Sequence, residues 1–107
     1  MSSHFDALMV VQPSGVLNAA NAKALQAQLT DSIAAEDVPG LMVDMSRVEV
    51  LDSAGLVALI SVLRLARGLR KRFCLCAVPP SIRIVLELTQ LDQVFEMVEA
   101  APLSMAA

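Results

Sequence analysis

The chain has 107 residues, a length that accommodates one domain with its own core and little else. Apolar residues make up 56% and there are only four Gly, which supports an ordered globule; three Phe with no Trp or Tyr make its core aliphatic. A net charge of −3 argues against a nucleic-acid surface as the main business of the protein.

Phe5 to Val11 alternates in part and is a strand candidate, which Pro13-Ser14-Gly15 ends or bends before Val16-Leu17 briefly resumes it. A first helix begins around Asn18-Ala19-Ala20-Asn21, with either Asn able to cap it. Ala22, Leu25, Leu29 and Ile33 recur at helical spacing and give it one apolar face. It has run out by Pro39-Gly40. Leu41-Met42-Val43 reads as a buried strand and Asp44 to Glu49 as a short polar connection. Leu51-Asp52-Ser53-Ala54-Gly55-Leu56 is then a strand-to-helix turn opening an apolar helix that reaches about Lys71. Asp52 and Ser53 are both good N-cap residues, able to satisfy N–H groups that a first helical turn leaves without partners. Gly55 permits close backbone approach or an unusual dihedral there.

Phe73 to Val78 is the next strand, and Pro79-Pro80 breaks the chain. Ser81 is expected to cap a short helix with Ile82, Val85 and Leu86 inward and Glu87 outward, and Leu91-Asp92 turns into a last strand from Val94 to Val98. Residues 1–99 are expected to form the domain and residues 100–107, which contain Pro102, a flexible tail. The order β, α, β, α, β, α, β predicts an α/β sandwich with a mostly parallel sheet.

Few residues suggest chemistry. Cys74 and Cys76 share one face of their strand, where Cys usually serves as a small buried apolar residue. A Cys-x-Cys pair with His4 as the sole histidine supports no metal or redox site. Ser53 as a hydrolytic nucleophile would need a base within reach, and the segment is not Gly-x-Ser-x-Gly; neither an enzyme nor a cofactor is expected. Five of the eight Lys and Arg cluster as Arg64, Arg67, Arg70, Lys71 and Arg72. The cluster could form an anion or partner patch, but late in a helix such residues more often complement its dipole and stay solvated. The N-terminus lacks the basic start and long apolar region of a signal peptide, and the apolar run Ala54 to Leu63 is too short to span a bilayer. A cytoplasmic protein without membrane insertion is expected.

The turn from Leu51 to Leu56, with a strand before it and a helix after it, resembles the signature of the STAS domain, the fold of bacterial anti-sigma factor antagonists. The family pattern is Asp-Ser-Ser/Thr-Gly-Leu, and the resemblance runs over roughly Leu8 to Glu99. It implies a single STAS domain, a mostly parallel four- to five-stranded sheet with helices packed on it. By position, Ser53 is the residue that would accept a phosphoryl group from an anti-sigma factor that is also a serine kinase. Asp52 would shape the acceptor loop, Gly55 would permit the turn, and Ala54 and Leu56, at the start of the helix, would belong to the docking face. Gly15-Val16-Leu17-Asn18-Ala19-Ala20-Asn21-Ala22 is similar to the family's Gly-x-Leu-Asp-x-x-Thr-Ala, with Asn18 in place of Asp. Asn18 keeps the hydrogen-bonding shape near the acceptor and removes a negative charge. Ala54 replaces a second hydroxyl, and the short N-terminus leaves little room for an additional edge strand.

The function implied is partner switching: binding an anti-sigma factor while Ser53 is unmodified and releasing it once Ser53 is phosphorylated, with a phosphatase as a further possible partner. The same domain also serves as a subunit of lipid-importing ABC transporters and as a scaffold module of sensory complexes; both remain alternatives at this point.

Overall fold

The computed structural model describes residues 8–99. The expected start of the first strand, Phe5 to Ala7, and the tail, 100–107, lie outside the described residues. Four strands, β1 (Met9–Val11), β3 (Gly40–Asp44), β5 (Arg72–Cys76) and β6 (Glu96–Val98), form one parallel sheet in the order β1-β3-β5-β6. Two more, β2 (Ser14–Leu17) and β4 (Arg47–Leu51), pair in parallel as a separate ribbon. The helices are α1 (Ala22–Ala34), α2 (Ser53–Gly68) and α3 (Pro80–Leu88), and a 3-10 turn spans Leu91–Gln93.

Alternation along the strands divides the core. Leu41, Val43, Phe73 and Leu75 pack with Leu25, Leu29 and Ile33 of α1, Leu59, Val62 and Leu63 of α2, and Ile82 and Leu86 of α3. Leu8, Met42, Cys74 and Cys76 form a second cluster, so the two cysteines do share a face. Their nearly continuous burial is what a parallel sheet expects of its central strands.

Three local expectations are corrected. Asp44 to Glu49 is not merely a connection: β4 begins at Arg47, and Met45 is fully buried, its N–H donating to the Cys76 carbonyl at 2.9 Å. The ladder pairs Gly15 with Val48 and Val16 with Val50, skipping Glu49, so a bulge breaks the alternation that would have marked the strand. Gly15, at φ 78°, supplies the left-handed conformation on the opposite strand. Second, Ser81 does not cap α3; Pro79 stands at the cap position and Pro80 at the first helical position, where its fixed φ fits and its missing N–H costs nothing. Third, the last strand starts at Glu96, because Leu91–Gln93 and Val94 are wound into the turn before it.

The basic cluster separates into individual structural contacts. Lys71 Nζ donates to the carbonyls of Ile33 and Ala35 at 2.7 and 2.6 Å, at the end of α1, where helical carbonyls lack partners. Arg67 donates to the Val94 carbonyl at 3.1 Å, and Arg72 pairs with Glu96 across the β5–β6 edge. The hydrogen bond from Arg72, rather than burial, sets the direction at Glu96: its carboxyl is held below the ordinary value.

Candidate functional site

The site follows from the parallel ribbon. Because β2 and β4 run the same way, their C-terminal ends lie side by side, and each leads into a helix: β2 through Asn18 to α1, β4 through Asp52 to α2. The Asp52 N–H donates to the Leu17 carbonyl at 3.1 Å, tying the two strand ends together. Gly55 makes the closeness possible. A Cβ there would meet the Leu17 carbonyl oxygen at 2.8 Å and the Leu17 Cβ at 3.0 Å, so the residue serves close approach rather than an unusual dihedral.

Asp52 is the N-cap of α2. Its Oδ1 accepts from the N–H groups of Ala54 at 2.9 Å and Gly55 at 3.1 Å, and its carbonyl accepts from Leu56 N–H at 2.9 Å. Ser53 is therefore the first helical residue rather than the cap, and it is exposed on a rigid mount. Ala54 is half-buried and Gly55 buried, while Leu56 packs against the core.

Asn18 is half-buried in the neighbouring turn. Its Oδ1 accepts from Ala20 N–H at 2.9 Å, and its own N–H donates to Asn21 Oδ1 at 2.9 Å. Asn21 Nδ2 donates to the Val16 carbonyl at 2.6 Å. Neither Asn caps the first turn of α1 with its side chain, contrary to the pattern-based expectation. The two instead lock the loop that precedes it, and the Asn18 carbonyl receives Ala22 N–H at 2.8 Å.

Between the starts of α1 and α2 lies an open groove of about 410 Å³, lined by small side chains of Ala19, Ala22, Ala54 and Ala58, with Ser53 and Val57 on α2 and Lys23 and Gln26 on α1. Lys23 is its sole cationic lining residue. Val57 is 58% exposed, one turn beyond Ser53. Sequence reasoning missed Lys23, Gln26 and Val57. The four-residue step from Ser53 to Val57 could have flagged the latter, whereas the α1 residues join the site only through helix packing.

The bulge in β4 adds an exposed apolar pair beside this turn. Val48 and Leu51 point inward, and Val50 is turned outward to lie opposite Val16; the two are 50% and 42% exposed.

The other chemically distinctive residues stand apart from the groove. Burial pushes the Cys74 thiol up to about 11 and the Cys76 thiol up to about 12, with Glu96 adding to the first and Asp44 to the second. Both are free and remain neutral at physiological pH. Among the described residues no group of three or more His, Cys, Asp or Glu could hold a metal ion, and no helix is long and apolar enough to cross a membrane.

Fold and site together define a small parallel α/β domain that presents a hydroxyl at a helix start beside an apolar groove. The chain belongs to the STAS domain family, whose profile matches residues 2–102. It is similar to BtrV of Bordetella bronchiseptica, provisionally named an anti-sigma factor antagonist: 26% identity over 102 residues, 95% of this chain and 87% of that one. A solved anti-sigma factor antagonist from Mycobacterium paratuberculosis is 32% identical, with a TM-score of 0.74 over 90% of this chain and 80% of that one. A Thermotoga maritima structure has a TM-score of 0.83 at 22% identity, covering 94% and 86% of the two chains, a likeness of fold.

Proposed function

We propose that this protein is an anti-sigma factor antagonist: a cytoplasmic regulator rather than an enzyme, which docks on an anti-sigma factor with serine kinase activity and is released when Ser53 is phosphorylated. The observation that carries the reading is Ser53 itself, an exposed hydroxyl at the first position of a capped helix, on the lip of a groove lined largely by small side chains. The antagonists from Mycobacterium paratuberculosis and, provisionally, Bordetella bronchiseptica support the class.

The chemistry asks little of this chain. The kinase supplies the phosphoryl group from a nucleoside triphosphate: the terminal P–O bond breaks and the diphosphate leaves as the Ser53 oxygen bonds to phosphorus, the hydroxyl proton passes to the kinase's base, and the phosphate brings about −1.5 to −2 charges at neutral pH. Inside a docked interface, an unpaired charge of that size costs roughly 2–5 kcal/mol, weakening binding from about thirtyfold to more than a thousandfold. Asp52 shapes the acceptor turn, and Ala54 and the exposed start of α2 contribute to the docking face. Ser53→Ala is expected to hold the partner constitutively and Ser53→Glu to bind it poorly.

Site-resolved mass spectrometry of the endogenous protein from growing and stressed cells tests the reading. Phosphate on Ser53 with condition-dependent occupancy is expected. An unmodified Ser53 in every condition, with the protein co-purifying with a membrane ATPase, would refute it and favour the transporter-subunit alternative.

A further inference from the structure

A phosphoryl group on Ser53 would meet a specific electrostatic arrangement. Two first-turn amides that could receive an anion, those of Ala54 and Gly55, are already taken by Asp52 Oδ1. That carboxylate also places a negative charge beside the acceptor. The helix start is therefore a poor phosphate cradle in this chain, and the compensating charge has to come from elsewhere.

Lys23 meets that need. It lies on the first turn of α1 and lines the groove together with Ser53. It forms no ion pair among the described residues, and its long flexible stem lets the ammonium sweep the groove. Among the described residues no other cation lines the groove: Arg64 is eleven residues along α2, about 16 Å of helix away, Arg70 lies beyond the end of that helix and Arg83 on α3, and Arg67, Lys71 and Arg72 bond to Val94, to Ile33 and Ala35, and to Glu96. Asn18, whose loop supplies Ala19 to the groove, is neutral. The charged groups around Ser53 are thus Lys23 from α1, Asp52 before it and, farther back along β4, Glu49 and Arg47, with Asp31 two turns down α1.

We propose that Lys23 is the counter-charge of phosphorylated Ser53, closing across the α1–α2 groove so that modification both adds a phosphate to the docking face and withdraws a cation from it. The inference rests on the switch reading for its biological meaning, while the pairing can be measured without the kinase.

Phosphoserine is installed at position 53 by codon suppression, and the phosphate is titrated by phosphorus-31 NMR. An ammonium beside the phosphate favours its dianion, so Lys23 lowers a second pKa that is ordinarily about 6. Lys23→Ala is expected to raise it by about half a unit and Lys23→Arg to restore it. A Lys23→Ala change below about 0.1 unit, or an Arg64→Ala change as large, would overturn the proposal, the latter by attributing the effect to overall charge. Either result is independent of whether Ser53 is modified in cells, so failure of the pairing and failure of the switch are told apart.

Discussion

Gly55→Ala sets two quantities of opposite sign against each other. In a solvent-exposed helix the change is favourable by up to about 1 kcal/mol, through helix propensity and reduced freedom of the unfolded chain. Here the new Cβ would stand 2.8 Å from the Leu17 carbonyl oxygen, 2.9 Å from Leu51 Cδ1 and 3.0 Å from Leu17 Cβ. Leu51 can turn its methyl away, but Leu17 cannot move alone: it is held in β2, and its carbonyl receives the Asp52 N–H. Overpacking of this kind costs about 1–3 kcal/mol, so the net loss should be about 1–2 kcal/mol, or roughly 4–10 °C in Tm. Gly68→Ala is the control within the same helix, because nothing lies within 4 Å of its Cβ position; it should be neutral or slightly stabilising. Urea denaturation reads both as shifts of the midpoint at constant slope. A Gly55→Ala protein as stable as the parent, or a Gly68→Ala protein that loses as much, would refute the claim that the start of α2 is packed to contact against the end of β2 at this residue.

Asp52→Ala removes the acceptor of two amide hydrogen bonds and should cost about 1 kcal/mol, whereas Asp52→Asn, which keeps an acceptor oxygen, should lose less; thermal melts distinguish them. Lys71→Met keeps the apolar stem but leaves the Ile33 and Ala35 carbonyls without their ammonium partner, at about 1–2 kcal/mol, and should speed amide hydrogen exchange in the last turn of α1. The buried thiols should resist a disulfide reagent in the native protein and react on unfolding. Their folded values lie above the ordinary 9.0, so the stability they confer is complete below about pH 9 and declines as pH rises toward about 11 and about 12. The Cys74→Ala/Cys76→Ala protein should therefore lose less stability than the parent between pH 7 and pH 10.

Much of the site was legible because its chemistry is local. Asp, Ser and Gly within four positions ahead of an apolar run are the marks of a capped helix start, and the paired strand ends put that start next to the Asn18 loop. β4 was hidden because Asp44, Ser46, Arg47 and Glu49 look like a loop and the bulge at Glu49 interrupts period-two alternation. The capping roles of Asn18 and Ser81 were misjudged for a related reason: residue type states what a side chain can bond, while the path of the backbone decides which amides it reaches. Lys23 belongs to the site only because α1 and α2 pack together, and no run of neighbouring residues encodes that.

Lys71 has a consequence that its bond lengths alone do not convey. The α1–α2 pair is fastened at two places: the strand ends leading into the helices are joined by Asp52 N–H to the Leu17 carbonyl, and Lys71, just past α2, bonds the Ile33 and Ala35 carbonyls where α1 ends. These bonds oppose splaying and sliding of the pair, so a charge added at Ser53 would be expected to act where it stands. Under the switch proposed above, the information carried by Ser53 would be written on the surface as charge and read by touch, and the domain would pass between its two meanings while keeping a single shape.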